Sequence, residues 1–404
     1  MTEQYDAIVV GGGPAGSSAA AFLSYAGKKV LLLEKEKWPR DKTCGDAISG
    51  KSMKILEELG IVGEIEMADH QVVEGIAFSS PSGKFAQINF SKAGGIKKGY
   101  VCRRQVFDHL VWKAAAKKAD AREEAEVVGV VRENGKICGV KVKGKHGEEE
   151  FRGKIVIGAD GVSSIIAKEV RGNEIDALHT CIAYRAYYSG VSGMANMLEI
   201  HFVKEIIPGY FWIFPLENGL ANVGVGMVMK DMRDKNVNLQ KAMLETIEKN
   251  PLFKERFKSA KQVTPIKAWS LPFGSKRRKV HTDNVLLVGD AAGLVDPFSG
   301  EGIGNALLSG KIAAQVAQEA IDAGDTSETF LSRYPERLWS TVGDELERSY
   351  MMQKLGKNEW LLNFVIAKAA TSERAREAIA STFTDEEARK GYASPLFYLK
   401  LLLS

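Results

Sequence analysis

An α/β fold, α+β overall, is predicted by three observations. A short apolar strand near the N-terminus runs into a glycine-rich turn and a helix of small residues. Two later apolar runs each end in Gly and Asp, and the stretches between them alternate apolar and polar residues. The chain of 404 residues has room for two or three units, and 45% hydrophobic with 26% charged residues is the composition of an ordinary globular protein. A formal net charge of +4 is well short of the basic bias of a nucleic-acid binder, and no such partner is expected.

Taken in order, Tyr5 to Val10 reads as a buried parallel strand, Pro14 to Tyr25 as a helix and Lys29 to Glu34 as a second buried strand. Together they make a βαβ unit. Lys154 to Asp160 and Asn284 to Asp290 read as further buried strands that bring an acidic residue to their C-terminal ends. A Rossmann-type nucleotide domain is therefore expected to be discontinuous in sequence, over residues 1–72, 98–168 and 280–322. Val73 to Phe90 and Ile182 to Met229 alternate around Gly, Pro, Asn and Ser turns, which predicts an antiparallel-sheet substrate domain over 73–97 and 169–279. Asn305 to Ala323 and most of Thr326 to Lys390 carry helical periodicity, so 323–404 is expected to be a helical C-terminal region. No internal repeat or low-complexity linker is visible.

The turn Gly11-Gly-Gly-Pro14-Ala15-Gly16 fits GxGxxG between a strand and a helix, and Glu34, followed by Lys35, ends the next strand about twenty residues on. Gly11 permits the tight turn, Gly13 lets the backbone approach a pyrophosphate, and Gly16 lets helix and strand pack closely. Glu34 can accept from a ribose diol. The turn alone fits FAD or NAD. Two remote segments favour FAD, because a ribityl chain and flavin ring need contacts that NAD does not. Asp290 can take ribityl hydroxyls, and the glycine-rich turn that follows it opens a helix at Gly302 and Ile303, whose positive end can face the flavin pyrimidine edge. Asp160-Gly161 is the second such segment.

Glycine fingerprint, Asp-Gly pair and Gly-Asp pair stand here in the order of the flavoprotein group that includes aromatic hydroxylases, flavin-dependent halogenases and geranylgeranyl reductases, which residues 5 to 320 resemble. The resemblance implies that Arg104 reaches FAD near its pyrophosphate and ribityl portion. Tyr210-Phe-Trp212-Ile-Phe214-Pro215 is similar to the YxWxFP signature of the geranylgeranyl reductases, and aromatic residues on one strand face give the apolar wall that an isoprenoid chain needs. Cys44-Gly45-Asp46 resembles the Cys-Gly segment that these reductases place beside the flavin.

What the resemblance implies is saturation of isolated double bonds in geranylgeranyl chains, as in archaeal membrane ether lipids, with hydride from reduced FAD and a proton from the region of Cys44 and Asp46. An alternative is a monooxygenase or halogenase on the same fold, and another is a reductase of a different polyprenyl substrate, such as a quinone side chain or geranylgeranyl diphosphate. No second glycine fingerprint is present to bind NAD(P)H, so electrons are expected from ferredoxin or from transient NAD(P)H, with Lys276-Arg-Arg-Lys279 as a basic docking run. Cys102, Cys138 and Cys181 are read as structural, and no metal-ligand spacing occurs. No leader or spanning run is visible, so the expected location is cytoplasmic, with peripheral contact at the inner face of the membrane through Pro395 to Ser404.

Overall fold

Val30–Leu33 buries four consecutive side chains, which suits a parallel strand covered on both faces. A computed structural model describes residues 4–90, 99–144, 147–172 and 175–377, and places this strand between Gln4–Val10 and Asp120–Arg122, all three parallel. Gly147–Gly158 and Val285–Leu287 continue the parallel sheet on the other side of Gln4–Val10. One core is thus assembled from remote pieces of sequence. The Pro14–Tyr25 helix carries Ala and Ser along its length, so it can pack closely against Ile303–Ala323 and Arg104–Ala116. At Gly310 the approach leaves no room for a side chain, because a Cβ there would stand 2.2 Å from the Ala15 carbonyl oxygen. The Ser18 hydroxyl adds a bond of 2.8 Å to the carbonyl of Leu307.

The second large sheet runs Lys261–Gln262, Thr180–Ser189, Leu220–Val228, Tyr210–Pro215, Met197–His201, Gly75–Ser79 and Phe85–Asn89, with Lys267–Pro272 also on Thr180–Ser189. Its pairs are antiparallel except one: Met197–His201 runs parallel to Gly75–Ser79. These two strands are separated by much of the nucleotide unit, so no hairpin fixes their relative direction. Strand alternation sorts the side chains. Phe211, Ile213, Val223 and Val225 pack on one face against Leu239, Met243 and Phe253. Tyr187, Trp212 and Phe214 point to the other face. Beneath the first face His201 is buried between Ser79 and Glu199, at 2.8 and 3.1 Å, and Glu199 takes a two-pronged grip from Arg256.

A small third sheet pairs Ala47–Ile48 and Gln71–Val73 with Gly99–Val101. It joins residues from both sides of the boundary expected between 72 and 73. The C-terminal part is helical as far as it is described, with Arg333–Leu355 against Ile303–Ala323 and Glu359–Thr371 against Phe85–Asn89. Pro395 to Ser404 lies outside the described residues, as does the end of the helical reading that runs to Lys390. Among the described residues no helix is long and apolar enough to cross a membrane.

Candidate active site

The glycine turn is tight because its neighbours demand it. Gly11 has φ 103°, donates to the carbonyl of Leu33 at 2.8 Å, and would put a Cβ 2.4 Å from the oxygen of Ala159. Gly16 packs so closely that its Cβ would meet the Gly11 oxygen at 1.8 Å. Gly13 caps the helix without a side chain, Pro14 follows it, and the helix N-terminus is left to an anion. Glu34, at the end of the next strand, accepts from the Gly12 and Glu36 amides at 3.0 Å each.

A row of alternating charges extends from there. Arg40 lies 3.3 Å from Glu34 and 3.2 Å from Asp108, and Asp108 grips Arg104 at 2.5 and 2.7 Å. Arg104 also hydrogen-bonds Cys44. Burial opposes its charge, but Asp108 and Cys44 hold it above the ordinary arginine range. Arg40 and Asp108 were not foreseen. Asp108 stands one helical turn after Arg104, a local spacing that could have revealed it.

Asp160 departs from expectation. Its carboxylate accepts from the Ser164 hydroxyl and from the amides of Ile165 and Ile166, at 2.7 and 3.3 Å for the amides. It therefore secures the start of the Ile165–Arg171 helix instead of offering its oxygens to a cofactor, and burial raises its pKa. Gly161 beside it, φ 75°, keeps the cavity side open. Asp290 faces Lys42 at 3.4 Å. Gly302 caps the Ile303–Ala323 helix without a side chain, yet Glu301 already meets that positive end by accepting from the Gly304 amide at 2.6 Å and from Ser49 at 3.1 Å. Burial raises the pKa of Glu301.

The Cys44 loop meets the second sheet. Cys44 is half-buried, and its carbonyl accepts from Asn222 at 2.7 Å and from Arg185 at 3.2 Å. Gly45 lies under Phe214, whose ring is 3.0 Å from where a Cβ would be. Asp46 is fully buried with φ 66°; its Oδ2 accepts from the Tyr187 hydroxyl at 2.8 Å and from Asn222 at 2.7 Å, and its Oδ1 has no partner. Burial pushes this carboxyl up to about 6, against the pull of Arg185, Tyr187 and Asn222. Trp212 donates to Asn222 Oδ1 at 2.9 Å and lies across Gly224, where a Cβ would stand 2.2 Å from its ring. Tyr210 donates to the carbonyl of Ser299 at 2.6 Å.

These groups line one continuous cavity of about 1630 Å³ that runs from Glu34 and the exposed Lys35 to an apolar end at Leu198, Ile200, Phe202 and Phe298. Of the residues predicted for the site, only Gly16 and Pro215 do not line it, being packed behind the turn and at the strand end. FAD fits these residues. The open helix N-terminus at Gly13 suits its pyrophosphate, Glu34 its adenosine ribose, and the groove continues past Arg104 and Asp290 to Gly302, farther than a mononucleotide needs. Residues 4–334 match the FAD binding domain family. The chain is 37% identical to digeranylgeranylglycerophospholipid reductase of Methanocaldococcus jannaschii, over 88% of this chain and 86% of that one. It is 35% identical to digeranylgeranylglycerophospholipid reductase 1 of Methanopyrus kandleri, over 85% and 88%.

The chain belongs to the digeranylgeranylglycerophospholipid reductase family of FAD-binding proteins.

Its fold superposes on the crystal structure of a geranylgeranyl bacteriochlorophyll reductase-like protein from Thermoplasma acidophilum with a TM-score of 0.83, at 27% identity and 99% coverage of both chains. FAD is the cofactor of this reductase family member. The basic run offered as a docking surface is paired within the fold: Lys276 with Asp176, Arg277 with Glu347, Arg278 with the carbonyl of Phe273, and Lys279 with Glu328. Its field is locally neutralised.

Proposed function

We propose that this chain is an FAD-dependent reductase acting on CH–CH groups, which saturates isolated double bonds of geranylgeranyl chains in membrane ether-lipid biosynthesis. The observation that carries the reading is the continuity of the cavity: the nucleotide groove opens, past Cys44, onto an apolar wall of Trp212, Phe214, Leu198 and Ile200. An isoprenoid chain offers almost nothing to hydrogen-bond, so such a wall recognises it by shape and desolvation. Bound FAD, once reduced, supplies the hydride.

The chain's own residues supply the rest. An isolated trisubstituted alkene is poorly electrophilic, so a proton must accompany or precede the hydride. Cys44 lines the cavity with its thiol beside Arg104, and Asp46 stands two residues on. Cys44, supported by Asp46, holds the proton at Sγ and presents it to the alkene. Replacing Cys44 by Ser or Ala is expected to lower alkene reduction at least about tenfold while the flavin absorbance shows FAD still bound. Undiminished turnover in both variants would remove Cys44 from the chemistry.

The electrons come from ferredoxin or NAD(P)H in this reading, and the lipid is met by a cytoplasmic protein at the inner face of the membrane. Support for the membrane contact comes from the Glu359–Thr371 helix, on which Trp360, 69% exposed, stacks on Phe364 with centroids 5.6 Å apart. The buried side of that helix, Ile366 and Ala369, packs into the cluster that includes Phe202, Tyr210 and Phe298 at the apolar end of the cavity.

A further inference from the structure

The sheet that forms the apolar wall also carries polar side chains on the same face, and they stand in register. Asn222 on the central strand pairs across to Tyr187 on one side and to Phe214 on the other, so the three side chains form a single cross-strand row. Each member of the row takes a member of the Cys44 loop. Asn222 donates to the Cys44 carbonyl, Phe214 covers Gly45, and Tyr187 together with Asn222 donates to Asp46 Oδ2. Asn222 is fully buried, and its amide makes three bonds: two as donor to the loop, one as acceptor from Trp212.

An amide can accept only through its oxygen and donate only through its nitrogen. The orientation of Asn222 is therefore set by Trp212, and the loop is set by Asn222. The preceding row repeats the device: Arg185, opposite Gly224 and hence in line with Trp212, donates to the same Cys44 carbonyl and stacks 4.1 Å from the Tyr187 ring.

We propose that Asn222 and Tyr187 are positioning residues that lock the Cys44–Asp46 loop to the aromatic wall, so that seating an alkenyl chain against Trp212 and placing the Cys44 thiol are one event. The proposal rests on the reductase reading for what the loop does, but the lock itself is independent of the substrate. Loss of the lock leaves Cys44 free to move, and its chemistry suffers more than lipid binding does.

The test uses the FAD-loaded full chain in two variants, Asn222→Leu and Tyr187→Phe; the second removes one hydroxyl and keeps the ring, so it remains informative if the first fails to fold. The first readout is alkylation by iodoacetamide, quantified at Cys44 by peptide mass spectrometry against Cys138, which is half-buried on the separate Lys136–Gly144 strand. The Cys44 to Cys138 ratio is expected to rise at least fivefold in Asn222→Leu and twofold in Tyr187→Phe. The second readout is turnover of a geranylgeranyl lipid: kcat falls tenfold or more in Asn222→Leu with KM within threefold, and in Tyr187→Phe the pH profile of kcat moves upward, because Asp46 has lost a donor to its charged form. An unchanged labelling ratio in both variants, or a rise in KM with kcat intact, overturns the lock. If labelling responds while the wild-type enzyme reduces no geranylgeranyl lipid, the lock stands and the substrate reading falls.

Discussion

Replacing Asp46 by Asn tests the site through stability as well as turnover. Asn is nearly isosteric, tolerates φ 66° better than most residues, and can present its oxygen to both Tyr187 and Asn222. What it removes is the ionisation. The folded chain holds the Asp46 carboxyl at about 6 against an ordinary 3.8, chiefly through burial. Folded protein thus binds the proton more tightly than unfolded protein, so the contribution to stability is fully present below 3.8 and is lost as pH rises through about 6. At 1.36 kcal/mol per pKa unit the loss above pH 7 reaches about 3 kcal/mol. Asp46→Asn escapes it. Thermal melts of the FAD-loaded protein should show the variant more stable than wild type at pH 8, by about 3 to 4 °C for a chain of this size, with the difference closing between pH 6 and 4. Alkene turnover at pH 7 should fall at least about tenfold in the same variant. A melting difference that is the same at pH 4 and pH 8 would refute the argument, because it would mean that Asp46 ionises in the folded protein as it does in the unfolded chain.

Asp108→Ala removes the anion shared by Arg104 and Arg40 and leaves Arg104 buried without it; the loss in stability of the apoprotein is expected to be about 3–5 kcal/mol, read by urea unfolding, with weaker retention of FAD on gel filtration. Trp360→Glu places a charge on the exposed stack of the Glu359–Thr371 helix, and should cut flotation with anionic lipid vesicles severalfold while leaving turnover of detergent-dispersed lipid unchanged; equal flotation would place the membrane contact elsewhere.

Much of the nucleotide half is legible because its determinants are local. The turn at Gly11, the helix after it and Glu34 fall within one βαβ unit, where spacing alone fixes their relation. Asp160 was legible as a position but not as a role: its Gly-Asp-like setting looks alike whether the carboxylate meets a cofactor or caps its own helix, and Ser164 with two amides decides the matter only in three dimensions. Arg185, Tyr187 and Asn222 lay beyond reach for a different reason. They reach the Cys44 loop from strands remote in sequence, and register between such strands is a tertiary fact. One hint was available: Arg185 interrupts a strand of mostly apolar and aromatic residues, and a charge there must find a partner.

The identity of residue 46 bears on what the loop is for. Were the loop only a structural bridge, an amide at this position would make the same bonds to Tyr187 and Asn222, suit the left-handed backbone, and spare the folded state the pH-dependent loss that a buried carboxyl brings. The property an amide lacks is an acidic proton. Asp46 Oδ2 is held by two donors, so when the carboxyl is neutral its proton resides on Oδ1, the oxygen without a partner. A carboxyl that titrates near 6 is half protonated close to the pH of the cell interior, and two residues away a half-buried thiol faces the same cavity. The arrangement matches the need of the proposed reaction: a proton held in a site that excludes water, beside a wall that can seat a carbon chain and little else.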